Sequence, residues 1–376
     1  MKFEVSRTAL LKACQLVAPA VAARSTKPAL GCIKITADAA SGKLILTATD
    51  NEIGIRHTIP VVEVSRGGSA LVLPSKIIPI LRESDGDTVR VDGDENGTTI
   101  RTGGGRFKLP GGNPDELPDV PDIDSDANTV SVQPTALKLA IGRVAPAADK
   151  TEATTRWAVT GILLERIDKA VRLVATDTRR MAYQDVPVSD CGNNATWSAN
   201  TLVPTKTMAM LARDIDDCEG KSVAISVGKN EVAFATAFTV IRSKLVEGRF
   251  PPYRDIVPKK PKVTLEVPVS EFLSRVRQAA IMTDDETRRV DLKFEAGKLT
   301  LESQGGADNG SGQVAMDLPD YGGYVVEIAF NPQYLIDMLR AVDSEPTLKL
   351  EMTSGDQPAV FRVGDEYLHL IMPLTG

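Results

Sequence analysis

Histidine is almost absent from this 376-residue chain, which has only His57 and His369. Most proton shuttling and zinc ligation near neutral pH would have to rest on those two side chains, which is thin material for an enzyme. Cysteine is nearly as scarce. Cys14, Cys32, Cys191 and Cys218 are far apart and form no CxxC pair, so neither a zinc site nor a disulfide framework is indicated, and buried reduced thiols are expected. No apolar run approaches the roughly 18 residues of a membrane span, and Met1-Lys2-Phe3-Glu4 lacks the charged-then-apolar layout of a signal peptide. A cytoplasmic protein is the expectation. Phosphate-cradling glycine motifs are missing as well: there is no GxxxxGK[ST] and no GxGxxG, and Gly103 to Gly105 precede a strand-like run and read as a hairpin. Asp122-Ile-Asp124-Ser-Asp126 has neither the sharp-turn glycine nor the closing glutamate of a calcium loop. No metal, no cofactor and no catalytic residue is expected. A basic balance is also lacking. The formal net charge is −6, which taken alone argues against a nucleic-acid partner.

What the chain does have is repetition. Phe3-Glu-Val5, Ala9-Leu10 and Val17-Ala18-Pro19-Ala20 return in order as Val130-Ser-Val132, Ala136-Leu137 and Val144-Ala145-Pro146-Ala147, at a constant offset of 127 residues. Ala48-Thr49-Asp50 recurs as Ala175-Thr176-Asp177 at the same offset, and Leu73-Pro74-Ser75-Lys76 matches Val203-Pro204-Thr205-Lys206. A fainter third copy reads Leu265-Glu-Val267, Phe272-Leu273 and Ala279-Ala280, with Phe330-Asn331-Pro332-Gln333 later. Each unit reads as an alternating strand, a helix of about three turns, short strands, a second helix and more strands. Leu10, Leu11, Cys14 and Val17 share one helical face, as do Leu137, Ala140, Ile141 and Val144. Pro74, Pro204 and Pro332 stand at or just before the second helix, where a missing N–H does little harm. Hairpin signals such as Asn96-Gly97 and Asp308-Asn309-Gly310 punctuate the strands. Pro110 to Asn128 and Pro251 to Lys262 read as exposed linkers. The fold class expected is α+β, with three repeated domains over 1–126, 127–260 and 261–376, each of two helices plus antiparallel sheet.

The predicted helices are 7–18, 75–83, 134–145, 205–214, 270–280 and 332–342. They hold eleven basic residues, namely Arg7, Lys12, Lys76, Arg82, Lys138, Arg143, Lys206, Arg213, Arg275, Arg277 and Arg340, against four acids, Glu83, Asp214, Glu271 and Asp337. The helices therefore carry +7 and the remainder −13. Solvated helix faces would bear acids as often as bases, so a shared basic helical surface accounts better for the asymmetry. Were such helices to line a hole, six at a spacing of about 9 Å would nearly fill it, whereas twelve close a circle of roughly 34 Å, leaving about 24 Å after helix thickness, enough for a duplex about 20 Å wide. A closed homodimer follows from that arithmetic. Flexible cations facing phosphates bind without reading bases and exchange contacts at little cost, so the ring could slide.

Ser243-Lys-Leu-Val-Glu-Gly-Arg-Phe-Pro-Pro-Tyr-Arg254, Ala175-Thr-Asp177 and Ile371-Met-Pro-Leu374, with Met1-Lys-Phe3, Leu10-Leu-Lys12, Arg24 and Pro28-Ala-Leu30, resemble the bacterial sliding clamps, the β subunits of DNA polymerase III. The resemblance covers essentially the whole chain. It implies a head-to-tail homodimeric ring with helices inside and sheets outside, encircling double-stranded DNA without sequence specificity and conferring processivity on the replicative polymerase. It also implies a peptide pocket between the second and third domains that serves the polymerase, the clamp loader and other partners carrying a clamp-binding motif. Carried onto this chain, the pocket would use Val159, Thr176, Thr178, Arg179, Arg180, Met181 and Pro251 from one side, with Ile256, Asn331, Tyr334, Val360, Met372, Pro373 and Leu374 from the other. The dimer contact would join Phe107 and Leu109 to Ile281 and Met282. The DNA-facing set would be Arg7, Lys12, Arg24, Lys76, Lys138, Arg143, Lys206, Arg275 and Arg277. Thr178-Arg179 stands where the family usually has Gly-His, Asp255 where it has a basic residue, and Thr375-Gly376 replaces a basic-then-apolar end. The rival reading, a repeat-built scaffold that binds only proteins, shares the fold and the pocket but gives no reason for basic helices.

Overall fold

The computed structural model describes residues 1–123, 129–149, 158–191, 197, 200–215, 222–283, 288–305 and 310–374. Asp124, Asp126, Cys218, Asp308, Asn309, Thr375 and Gly376, all named above, lie outside the described residues.

Six α-helices form among them: α1 (Arg7–Val17), α2 (Pro74–Glu83), α3 (Pro134–Val144), α4 (Thr205–Ile215), α5 (Val269–Ala280) and α6 (Pro332–Ala341). Each falls within a residue or two of its expected span, and the same fifteen charges lie on them. The starts have local causes. The Ser6 hydroxyl accepts from the Ala9 N–H at 3.4 Å, Asn331 Oδ1 accepts from the Gln333 N–H at 2.9 Å, and Pro74 and Pro332 occupy first-turn positions whose N–H would be orphaned anyway. α1 buries Leu10, Ala13, Cys14 and Val17, while Leu11 is only half-buried, so the inward stripe is rotated slightly from the expected one.

The chain packs as two compact units, Met1–Thr135 with Val188–Leu245, and Ala136–Pro187 with Val246–Gly376. In the first, strands 63–66, 2–6, 88–94, 97–101 and 106–110 form an antiparallel sheet in that order, and α1 packs on α2. A second sheet runs through 129–132, 223–227, 231–235, 239–244, 53–60, 43–49, 33–38 and 68–72. In the second unit, strands 311–318, 297–304, 290–295 and 326–330 form one sheet, and α5 packs on α6. Strands 263–268, 347–352, 359–363 and 367–371 form another, which passes to 180–187 and on through 170–176 to 161–167.

The three repeats are thus grouped by packing into two units. The reason lies in strand register: Thr239–Ser243 pairs with Ile53–His57 of the first repeat, and Arg180–Gln184 pairs with Tyr367–Ile371 of the third. The middle repeat shares a sheet with each neighbour, and continuous backbone pairing counts for more than sequence boundaries. The glycines at 103–105 do form a hairpin, closed by Thr102 N–H donating to Gly105 at 3.0 Å. Cys14 is buried, but Cys32 is only half-buried, so the expectation of wholly buried thiols fails there. Among the described residues no helix is long and apolar enough to cross a membrane.

Candidate functional site

Solvent selects among the helical charges. Lys12, Lys76, Arg82, Lys138, Lys206, Arg213, Arg277 and Arg340 are exposed, whereas Glu83 is the only exposed acid on the six helices. Asp214 is buried and accepts the hydroxyls of Thr236 and Thr239, so its charge is satisfied within the fold. The polarity inferred from sequence is therefore steeper at the surface than along the chain. In the first unit Lys12, Arg82 and Arg213 line a single depression, so α1, α2 and α4 present their charge together.

Several of the residues expected to face DNA have partners within the fold. Arg143 is 4% exposed: Nη2 pairs with Glu345 at 2.5 Å, Nη1 donates to Gln184 Oε1 at 3.0 Å, and the guanidinium lies 5.2 Å from the Tyr367 ring centroid. A helix position read as cationic lining is instead a buried tie from α3 to strand residue Gln184 and to Glu345 in the segment after α6, because its place in the helix turns it inward beside Val144. Arg7 donates Nε to Gly86 and Nη1 to Leu81, both at 2.8 Å, and so caps the carbonyl end of α2. Arg275 is half-buried and pairs with Glu271 one turn earlier, at 3.1 Å. Lys206 remains about half exposed but bonds Asp50 at 3.0 Å. Arg24 is exposed in the loop before Pro28.

The duplicated Thr-Asp turn is reproduced bond for bond. Thr49 Oγ1 donates to Ile53 O at 2.9 Å and Thr176 Oγ1 to Arg180 O at 2.6 Å. Asp50 Oδ1 accepts from Glu52 and Ile53, as Asp177 Oδ1 does from Arg179 and Arg180. Asn51 and Thr178 both adopt left-handed backbone, at φ 73° and 74°. Each aspartate closes its own turn and also accepts from a basic side chain, Asp50 from Lys206 and Asp177 from Arg180. The copies differ in what lies above them. A Cβ on Gly54 would come within 2.8 Å of Val120, whose side chain fills that space in the first copy, while the second copy carries Met181 at the matching position.

Around the second turn, all within the second unit, the chain end is pinned at two points. The Met372 N–H donates to Arg179 O and the Leu374 N–H to Ala329 O, each at 2.8 Å. Arg180 is buried, bonded to Asp177 at 2.9 Å and Asp337 at 2.8 Å, with its guanidinium 4.5 Å from the Tyr334 ring centroid. Burial, and then the Asp177 charge, push the Tyr334 hydroxyl pKa upward, so it stays a neutral donor. Tyr253, next to Pro251, is pushed up to about 12 by burial and then by Glu165, to which its hydroxyl donates at 2.5 Å. Met372 and Ile256 keep 37% and 45% of their surface, Pro251, Tyr334, Pro373 and Leu374 are half-buried, and Thr178 and Arg179 are exposed. Val159, Met181 and Val360 are in the core, at most 2% exposed, and present no surface of their own. Thr176 likewise holds the turn from a buried position, and Asn331 is the cap of α6.

Of the expected dimer residues, Phe107 and Ile281 are exposed, at 38% and 76%, whereas Leu109 belongs to the core of its own sheet. Phe107 lies on 106–110, an edge strand of the five-stranded sheet; 311–318 is an edge strand of the four-stranded one, and Met282 packs against Gly312 there. Among the described residues no cluster of three His, Cys, Asp or Glu side chains is placed to hold a metal ion.

Residues 1–121, 131–252 and 254–375 match, in order, the N-terminal, central and C-terminal domains of the DNA polymerase III beta subunit family. The chain is similar to the beta sliding clamp of Salmonella typhimurium, with 30% identity over 94% of each chain. It is 27% identical to that of Staphylococcus aureus over 100% of this chain and 99% of the relative. A sliding clamp from Bartonella birtlesii, solved bound to griselimycin, superposes with a TM-score of 0.88 at 25% identity over 100% of both chains. A DNA polymerase sliding clamp from Bacillus subtilis shares the fold, with a TM-score of 0.86 at 24% identity over 100% of this chain and 99% of that one.

Proposed function

The chain belongs to the DNA polymerase III β-subunit family, the bacterial sliding clamps, and from that premise we propose which of its residues hold DNA, partner peptides and the second protomer. As a member of that family it is a processivity factor: a homodimeric ring around duplex DNA that tethers the replicative polymerase and other partners. Its domain boundaries fall near residues 126 and 260. It works in the cytoplasm, without a cofactor and without catalysing a reaction.

The observation that carries the assignment is the surface count on the helices, eight exposed cations against one exposed acid. DNA is held by Lys12, Lys76, Lys138, Arg277 and the exposed arm of Arg24, with Lys206, Arg82, Arg213 and Arg340 adding to the field. Arg143, Arg7 and Arg275 act within the fold. Such cations supply affinity that carries no base preference and falls with salt. Peptides dock against Met372, Pro373, Leu374, Ile256 and Pro251, with Arg179 and Tyr334 at the polar edge and Val159, Met181 and Val360 as the support below. Phe107 on one edge strand meets Ile281 and Met282 of a second protomer, so that the exposed edges at 106–110 and 311–318 are covered on assembly.

Reversing Lys12, Lys76, Lys138 and Arg277 to Glu tests the reading. Sedimentation should still show a dimer while stable loading on circular DNA is lost. Undiminished loading would refute the assignment of these helices to DNA.

A further inference from the structure

The depression shared by α1, α2 and α4 measures about 900 Å³. Three cations from three helices, Lys12, Arg82 and Arg213, open into it, and among the described residues no acidic side chain lines it. Leu16, Ile59 and Ile78 supply an apolar floor. His57 forms part of the wall, with Nδ1 2.7 Å from Thr239 Oγ1. Since the Thr239 hydroxyl donates its proton to the Asp214 carboxylate, Nδ1 is the protonated ring nitrogen and the imidazole is held in place from behind. Positive charge in a concave, apolar-walled site focuses potential far more than the same charges spread on a convex surface.

We propose that this depression is a seat for a nucleotide, its phosphate met by Lys12, Arg82 and Arg213 and its base laid on the Leu16, Ile59 and Ile78 floor. The occupant is a free nucleoside monophosphate. The inference goes beyond the clamp reading, in which Lys12, Arg82 and Arg213 meet only the backbone of duplex DNA.

The full-length protein, labelled at isoleucine methyl groups, is titrated with dAMP, with deoxyadenosine and with a short blunt duplex, following the Ile59 and Ile78 signals. dAMP should move both signals saturably, and deoxyadenosine should need at least tenfold higher concentration. In the Arg82→Gln/Arg213→Gln variant, whose altered side chains are exposed, dAMP affinity should fall at least tenfold with the thermal midpoint unchanged. Shifts with dAMP support the seat, whereas shifts with duplex alone are the contact already ascribed to these helices and overturn it. Equal response to dAMP and deoxyadenosine, no response to either phosphate-bearing probe, or an undiminished response in the variant overturns it. Loading of wild-type protein on circular DNA is scored separately, so the seat and the clamp reading fail independently.

Discussion

Arg143 offers a sharp test, because its place on a basic helix and its surroundings point in opposite directions. Replacing it with Met removes a guanidinium that is 4% exposed and leaves Glu345 and Gln184 without their partner. Breaking a fully buried ion pair on one side costs roughly 3–5 kcal/mol. Glu345 retains 32% of its side-chain surface, so water recovers part of its solvation and about 2–3 kcal/mol is expected. Urea denaturation followed by circular dichroism should show a loss of that size for Arg143→Met. The slope of log affinity for a short duplex against log salt should be unchanged. Lys12→Gln should instead give a slope shallower by about 0.9, the contribution of one phosphate contact. An Arg143→Met protein of native stability with a shallower salt slope would refute this account of the residue.

Thr178→Gly should stabilise the fold by about 0.5–1 kcal/mol, since a β-branched residue in left-handed backbone is relieved at a smaller entropic cost; a lower thermal midpoint would count against the strain. Phe107→Ala should weaken the dimer on the order of a thousandfold in sedimentation, about 2 kcal/mol at each of two interfaces, and an unchanged dissociation constant would remove Phe107 from the contact. Burial, and then the Arg180 charge, depress the His369 pKa to about 3, so the unfolded chain binds more protons between pH 6.5 and 3 and stability falls as pH falls through that window. Between pH 7 and 5 the loss due to His369 should be about 2 kcal/mol, and His369→Gln should remove it, whereas an equal pH dependence in both proteins would refute the assignment. Ending the chain at Ile371 should weaken partner peptides without loosening the dimer, since the Met372 and Leu374 N–H groups bond to Arg179 and Ala329 of the same unit; unchanged peptide affinity in titration calorimetry would move the pocket elsewhere.

Much of this was legible in the residues themselves. Prolines 74, 204 and 332, the apolar stripes and the 127-residue offset located all six helices, because caps and periodicity are local properties of the chain. The Thr-Asp turn was equally visible, since the aspartate serves backbone only two and three residues ahead. What stayed hidden depends on distant partners. No pattern around Arg143 announces Glu345, roughly two hundred residues later, and none around Arg7 announces the carbonyls of Gly86 and Leu81. Leu109 and Phe107 alternate identically in sequence, and only the packing of the five-stranded sheet makes the first core and the second surface. The joining of three repeats into two packed units was likewise invisible, because strand pairing between 239–243 and 53–57 carries no local signature.

The central claim is that exposed helical cations surround duplex DNA in a closed dimer, and topology tests it most directly. Protein loaded on circular plasmid should remain bound after transfer to high salt and leave at once when the plasmid is cut by a restriction enzyme. Equal loss from circular and linear DNA as salt is raised would contradict the claim, for it would show ordinary electrostatic attachment and no encirclement.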